Sequence, residues 1–226
     1  MAQMHRHRLR YEKTGRGIYI SHLDTMAMFQ RAFLRAGLSI WQTEGYNRHA
    51  YVSIALPLSV GFSSTCEVLE FDLESDIPLT QVPDLLNQVL PEGIRVLECY
   101  PARDPFKLLR TLDWTITLEY DSGVPGQIGQ ALGEMLSLPS LVIQKPSKKS
   151  KKGFTELDII PMVHHWYIDE TTEHRLVLKA RLAAQNPSLN PQLLVDAFAS
   201  RNPDLKPDFV RCHRDEVYLE NGEVFR

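Results

Sequence analysis

Hydrophobic positions in the first half of the chain follow two different spacings. Alternating runs at 6–12, 51–58 and 67–74 predict strands, because residues two apart share one face of a strand. A helix is predicted from Ser21 to Gly37, where apolar residues recur three and four apart behind a Ser-His-Leu-Asp capping box. A second helix at 82–90 and a strand at 94–99 complete the order β-α-β-β-α-β.

The second half repeats this order of elements with negligible sequence identity to the first. The pattern predicts strands at 114–120, 141–143, 157–168, 175–182 and 209–212, a helix at 128–136, and a helix capped by Asn190 with Pro191 in its first turn. We therefore predict an α+β fold of two tandem ferredoxin-like (split β-α-β) modules, residues 1–103 and 104–226.

Composition narrows the class of protein. The chain has 226 residues, of which 43% are hydrophobic and 23% charged, as in an ordinary globular protein. Its longest apolar stretch, 54–62, contains Pro57 and Ser59 and is far shorter than the roughly 20 residues of a membrane-spanning helix. The three cysteines are widely scattered, and the first residues contain no apolar signal segment. We expect a soluble cytoplasmic protein without a membrane partner.

Charge is unevenly distributed along the chain. Residues 1–50 hold eight Lys or Arg against three Asp or Glu, whereas residues 66–121 hold four against twelve. A third block, 145–152, carries five lysines and no acid. Since like charges act together only when they are grouped, two basic segments within an acidic chain point to local contact with a polyanion.

The first candidate site is the start of the first helix. Ser21, His22 and Asp24 lie together beside Tyr19, with Arg16 just before them. Neighbours at a helix start cannot form a catalytic triad while they also cap the helix, so catalysis by this group is disfavoured. Two interpretations stay open, a capping box with an exposed histidine and recognition of a phosphate by the free amides of the helix.

The second candidate site is the segment Glu44-Gly45-Tyr46-Asn47-Arg48-His49, which combines turn-forming residues with an aromatic ring and polar donors. Such a segment can stack a base and hold its phosphate, although a plain solvated turn is the alternative. A metal shared by His22 and His49 lacks a third ligand at the right spacing.

The third candidate site is basic segment 145–152, in which Lys145, Lys148, Lys149, Lys151 and Lys152 alternate with Pro and Ser. It is typical of sequence-tolerant phosphate contact or of a solvated hairpin tip. His164 and His165 are expected on opposite faces of a strand, in the core or at an edge. None of the common Walker A, dinucleotide-binding, zinc-protease or hydrolase motifs is present in the sequence.

The N-terminal residues resemble the bacterial radical-SAM-linked protein family, a domain of unknown function found alone or fused to radical SAM enzymes and often encoded near ribonuclease G. The resemblance rests on residues 19–24 (Tyr-Ile-Ser-His-Leu-Asp), 31–32, 35–38, 44–49, 53–61 and Glu67. It is dense over 6–75 and returns at Lys151-Lys152 followed by 158–161. It implies a radical SAM protein or ribonuclease G as partner.

Two segments, the loop at 46–50 and the strand start at 158–161, depart from the family pattern. The family's loop commonly reads Phe-Asn-Pro-His-Pro, and here Tyr46, Arg48 and Ala50 replace the Phe and both prolines, while Asn47 and His49 are retained. This loop should therefore be less rigid and more cationic. Ile160 stands where the family tends to have Arg, so a basic role at that position is not transferred.

The leading hypothesis is a non-catalytic RNA-binding adaptor that acts with a radical SAM enzyme or ribonuclease. Its RNA-binding residues would be Arg16, Tyr19, Ser21, His22, Arg31, Arg35, Tyr46, Asn47, Arg48, His49 and the five lysines of 145–152. One alternative is an RNA-processing or RNA-modifying enzyme with His22 or His49 as general acid/base and Asp24 or Glu44 nearby. Another is a protein–protein adaptor that uses the acidic strand of Glu70, Asp72 and Glu74. No cofactor and no metal are predicted.

Overall fold

The structure is a computed structural model that describes residues 6–46, 48–146 and 153–226. Its helices are α1 (His22–Arg35), α2 (Val82–Asn87), α3 (Ile128–Leu136) and α4 (Pro191–Arg201). Its strands are β1 (Arg6–Lys13), β2 (Val52–Ile54), β3 (Ser63–Asp72), β4 (Ile94–Pro101), β5 (Leu109–Glu119), β6 (Val142–Pro146), β7 (Phe154–Asp158), β8 (Val163–Thr171), β9 (Arg175–Ala183) and β10 (Phe209–Leu219). This mixture of helices and mixed sheet confirms the predicted α+β class.

The chain divides into two units. Unit 1 comprises the residues up to Leu109 together with His213–Arg226, and unit 2 comprises Arg110–Cys212. Strand β10 therefore begins in unit 2 and ends in unit 1. The module boundary predicted between 103 and 104 stays a prediction, and the return of the last fourteen residues to unit 1 is a feature that the sequence pattern did not indicate.

In unit 1 the strands lie in the order β4-β1-β3, and β2 also pairs with β3. These pairings are antiparallel, whereas the start of the unit-1 part of β10 runs parallel to β3 through His213 and Arg214. Helix α1 packs its buried residues onto one face of the sheet, where Phe29 meets Tyr11 and Phe33 meets Phe71 with ring centroids 4.8 and 4.7 Å apart. Apolar burial of this kind drives the helix onto the sheet.

Helix α1 begins and ends where the sequence predicts. Ser21 is its N-cap and accepts a hydrogen bond from the Asp24 amide. The helix ends because Gly37 adopts a φ of +70°, which lets the Leu38 amide donate to the Phe33 carbonyl at 2.9 Å. Both signals are local, which explains why the sequence pattern identifies them.

In unit 2, β5 pairs with β9 and β9 with β8, both antiparallel, and the first part of β10 lies beside β5. The hairpin of β6 and β7 forms a separate two-stranded sheet. In the residues that the structure describes, no helix has the length and apolar character needed to cross a membrane.

The predicted single strand at 157–168 is wrong. Asp158 ends β7, and its carboxylate accepts from the amides of Leu141 and Ile160, which holds a turn before β8 begins at Val163. Those two amides, together with the Ser140 side chain, lower the pKa of Asp158. Pro161 in this turn also removes a backbone donor, so the strand cannot continue through it.

Two further predicted strands also differ in length. The strand predicted at 51–58 is confined to Val52–Ile54, and β3 begins at Ser63, earlier than the predicted start. The acidic residues of β3 do not form an exposed surface, since Glu70 and Asp72 are both buried. Glu70 accepts hydrogen bonds from Arg6 and Arg8, and these partners make its burial tolerable.

Candidate nucleic-acid interface

At the start of α1, the side chains of Ser21 and Asp24 are engaged in hydrogen bonds with each other and with the backbone. Ser21 donates its hydroxyl to the Asp24 carboxylate at 2.6 Å and accepts the Asp24 amide at 3.2 Å. The capping box that the sequence predicts is thus present. Because Asp24 places a negative charge at the helix N-terminus, this end is less suited to a phosphate than its free amides alone would suggest.

His22 forms no hydrogen bond with Ser21 or Asp24 in the described residues, so these three do not form a proton relay. Instead His22 lines a small cavity of about 10 Å³ with Tyr11, Lys13, Thr25 and neighbouring side chains. Such a volume holds roughly one water. The structure therefore gives no geometric support to His22 as a base paired with Asp24.

A buried polar cluster behind this cavity was not predicted. Lys13 is only 2% exposed, and its Nζ donates a hydrogen bond to the Ile20 carbonyl oxygen at 2.5 Å. Burial lowers the pKa of Lys13, and the Glu67 carboxylate partly opposes that effect. Glu67 accepts from Arg214 at 2.9 Å. These partners are far apart in sequence, so hydrophobic spacing contains no signal for the cluster.

Arg16 and Tyr19 belong to a short 3-10 helix, 15–19, just before α1. It packs against the turn before β4, where the Thr14 amide donates to the Gly93 carbonyl at 2.8 Å. Arg16 and Tyr19 are both exposed. Since α1 has fourteen residues at about 1.5 Å each, its two ends lie about 20 Å apart. The predicted RNA-binding residues of unit 1 thus form two groups, one at each end of α1.

The second group includes the exposed face of α1, where Arg31 and Arg35 lie one turn apart. Arg35 donates to the Val89 carbonyl at 2.9 Å, which holds its side chain against the start of the turn after α2. Arg31 has no ion-pair or hydrogen-bond partner among the described residues. An exposed guanidinium without a carboxylate partner is available to an external anion.

Beside α1 the chain turns back on itself between Gln42 and Ala50, which form an isolated antiparallel bridge. The Thr43 amide donates to the His49 carbonyl at 2.9 Å, and the Thr43 hydroxyl lies 3.1 Å from His49 Nδ1. These contacts fix the base of the turn and leave the Tyr46 ring fully exposed at its tip. Asn47 lies outside the described residues.

Gln30 connects this turn to α1 by donating its side-chain amide to the Ala50 carbonyl at 2.9 Å. Between them lies a cavity of about 450 Å³, which we call the α1 groove, lined by Gln30, Phe33, Leu34, Leu38, Gln42, Ala50 and nearby backbone. Arg31, Arg35 and Arg48 are not among its lining residues, and the lining Ser39 donates its hydroxyl to the Glu74 carboxylate at 3.1 Å. No local sequence pattern indicates this groove.

The remaining predicted residues lie elsewhere. Lys145 belongs to β6 in unit 2, while Lys148, Lys149, Lys151 and Lys152 lie outside the described residues. His164 and His165 are both exposed on β8, because a register shift between Val163 and His165 disturbs the strict alternation. Strand β8 ends the strand order, which agrees with the edge position expected for this pair.

Metal ligation finds no geometric support in the described ranges. Within them, no three His, Cys, Asp or Glu side chains are grouped as metal ligands would be. The three cysteines are free thiols, with Cys66 and Cys212 buried. Burial raises the pKa of each thiol to about 12, which keeps all three protonated and unreactive near neutral pH.

Two solved structures are similar to this chain at low sequence identity. One is a chain from a Cbf5-Nop10-Gar1 complex. The alignment covers 95% of this chain and 50% of that chain, with a TM-score of 0.54 and 11% sequence identity. The other is a chain from an archaeal box H/ACA sRNP Nop10-Cbf5 complex. The alignment covers 92% of this chain and 46% of that chain, with a TM-score of 0.44 and 10% sequence identity. The chain thus spans about half the length of these matched chains. The first likeness shows a shared fold.

Sequence comparison identifies the family. No curated protein matches the chain. A family model described as "Uncharacterized protein conserved in bacteria (DUF2344)" matches residues 6–191, which is most of the sequence and includes α1, its groove, Lys13 and Glu67. The chain therefore belongs to this DUF2344 family of bacterial proteins.

Proposed function

We propose that this protein binds single-stranded RNA through the second half of α1 and the adjoining turn. The observation that carries the proposal is the exposure of Arg31, Arg35 and Arg48 on α1 and in the adjoining turn, where the Tyr46 ring is also fully exposed. Cations follow the phosphates of a strand while an aromatic ring stacks a base, and this combination is typical of single-strand binding. The groups at the other end of α1, Arg16 and Tyr19, would extend the same strand.

The electrostatic part of the proposal has a defined magnitude. Three arginines that each neutralise one phosphate release about two counterions, so the logarithm of affinity should fall with the logarithm of salt at a slope of about −2 for a single strand. Exposed arginines contribute this way without any base preference.

The experiment measures binding of a fluorescent single-stranded oligonucleotide over a series of salt concentrations. The double substitution Arg31→Ala with Arg48→Ala should reduce the slope to about −0.7 and weaken binding at low salt. Arg95→Ala is the matched control, since Arg95 is an exposed arginine on β4 of the same unit. An affinity that does not change with salt, or that falls equally in the control, would contradict the proposal.

We propose in addition that the protein acts as an adaptor. The resemblance to the radical-SAM-linked family favours a radical SAM enzyme or a ribonuclease as the partner that acts on the bound RNA. The solved structure of shared fold is itself a protein assembly. Copurification from the native host at low salt, followed by sequencing of RNA and mass spectrometry of protein, tests this role. Recovery of neither a radical SAM protein nor a ribonuclease would count against it.

We also propose that each unit is a ferredoxin-like module in a cytoplasmic protein. The strand order β4-β1-β3-β2 in unit 1 supports the first module. In unit 2 the order β10-β5-β9-β8 repeats it, with the β6–β7 hairpin inserted after α3. An experimental structure of each unit tests the assignment, and a different strand order would overturn it.

A further inference from the structure

Where β10 runs beside β3, a serine and a histidine side chain form a hydrogen bond. Parallel pairing of the strands sets His213 opposite Ser63, and the Ser63 hydroxyl oxygen lies 2.8 Å from His213 Nδ1. Both residues belong to unit 1. Because each is held by a strand of the sheet, their relative position does not depend on the conformation of a loop.

The other ring nitrogen of His213 faces two oxygen atoms. Nε2 lies 3.3 Å from the Thr65 hydroxyl and 3.9 Å from an Asp215 carboxylate oxygen. Thr65 and Asp215 each lie two residues along a strand from the hydrogen-bonded pair, so the side chains meet on one face. These oxygens, and the carboxylate above all, favour a proton on Nε2. Nδ1 is then the unprotonated nitrogen, which accepts the hydrogen bond that the Ser63 hydroxyl donates.

This arrangement has the geometry of an activated nucleophile. A serine hydroxyl is weakly nucleophilic alone, and it becomes reactive when a neighbouring base takes its proton as the oxygen forms a new bond. A base at about 2.6–3.2 Å from the hydroxyl is close enough for this transfer, and the Ser63–His213 distance of 2.8 Å lies within that range. Ser63 and His213 are both partly exposed, so a small substrate in solution can reach them.

We propose that Ser63 is a nucleophile for acyl transfer, with His213 as its general base and carboxylic esters as the class of substrate. The Ser63 oxygen bonds to the acyl carbon while His213 Nδ1 takes the hydroxyl proton. The ester C–O bond breaks, and Nδ1 passes that proton to the oxygen of the departing alcohol. Water then attacks the acyl group and gives a proton to Nδ1, which returns it to Ser63 Oγ as the carboxylic acid leaves. This activity is separate from the proposed RNA binding, which uses other residues.

The first experiment incubates the full chain with an alkyl fluorophosphonate, which forms a bond to an activated serine oxygen and releases fluoride. We expect one adduct per chain, located on Ser63 by peptide mass spectrometry. His213→Gln removes the base and should slow this labelling at least about a hundredfold, as is usual for loss of a general base. Ser75→Ala is the matched control and should not change the labelling, since the partly exposed Ser75 hydroxyl contacts the Ser39 backbone rather than an imidazole.

The second experiment measures turnover of p-nitrophenyl acetate by the release of p-nitrophenolate. Ser63→Ala and His213→Gln should remove the same part of the turnover, because the two side chains act in one step. Turnover that is lost in His213→Gln and retained in Ser63→Ala would mean that the imidazole attacks the ester itself, and it would overturn the proposal. Absence of an adduct on Ser63 in the native protein, or adducts spread over several serines, would also overturn it, and neither readout depends on the folding of a variant.

Discussion

Arg8 is predicted to be the side chain of unit 1 whose replacement costs the most stability. It is 1% exposed, and it donates from Nε and Nη2 to one oxygen of Glu70 at 3.2 and 2.9 Å. Its remaining donors reach the carbonyls of Asp104 and Arg226 at 2.5 and 3.1 Å. The guanidinium also lies against two aromatic rings, those of Phe106 and Phe225, 4.8 and 4.6 Å from their centroids.

The perturbation is Arg8→Met, which keeps an unbranched side chain and removes the charge. Glu70 then stays buried with the half-exposed Arg6 at 3.0 Å and the Tyr51 hydroxyl at 3.5 Å as its remaining partners. Removing one partner of a buried ion pair costs about 3–5 kcal/mol, and apolar contact by methionine offsets only part of this. We expect the free energy of unfolding to fall by about 3 kcal/mol.

Urea denaturation followed by circular dichroism measures the change as a shift in midpoint at constant slope. Arg95→Met, at an exposed position of β4, is the control and should change stability by less than about 0.5 kcal/mol. The double variant Arg8→Met with Glu70→Leu should recover much of the loss, since no unpaired charge remains buried. A loss below about 1 kcal/mol for Arg8→Met, or no recovery in the double variant, would refute this account of the ion pair.

Two further predictions concern backbone packing and pH. Gly93→Ala should destabilise the protein by at least about 2 kcal/mol in the same denaturation assay. The reason is that φ at Gly93 is +85° and that a Cβ there would lie 2.4 Å from the Thr14 carbonyl oxygen. Gly126→Ala is the control and should be nearly neutral, because open space surrounds that position. The thiols of Cys66, Cys99 and Cys212, with pKa raised to about 12, stay protonated in the folded chain while they ionise near pH 9 in the unfolded chain. Stability should therefore fall as pH rises above about 9, by up to about 1.4 kcal/mol per pH unit for each thiol, and replacing all three by alanine should flatten the dependence measured between about pH 8 and 10. An unchanged dependence in that variant would contradict the assigned cause.

Local signals account for the parts of the fold that the sequence predicts. The Ser21 cap and the Gly37 end of α1 depend on residues within a few positions, so spacing and residue type suffice. The alternating runs likewise identify most strands. The predicted 157–168 strand fails because the two hydrogen bonds accepted by Asp158 favour a turn that alternation does not reveal.

Contacts between distant residues account for what the sequence does not predict. The Glu67–Arg214 pair joins residues 147 positions apart, and Arg8 reaches the Arg226 carbonyl across 218 positions. A hydrophobic pattern does not distinguish a charged residue that is buried in such a pair from one that is exposed at the surface. At the α1 groove, Gln30 joins the helix to the turn at Ala50, which lies 20 positions along the chain. None of the residues that line the groove was predicted as a site residue, because the segments that form it come together only in the fold.

The return of residues 213–226 to unit 1 has a consequence for synthesis of the chain. A ribosome delivers all of unit 2 before it delivers the strand that contributes Arg214 and the segment that contributes Phe225. The nascent N-terminal unit must therefore wait, with Glu67 lacking its arginine and Arg8 lacking one of its two rings, until residues 213–226 have been synthesised. A late frameshift or proteolytic trimming after residue 212 would damage the unit that was made first.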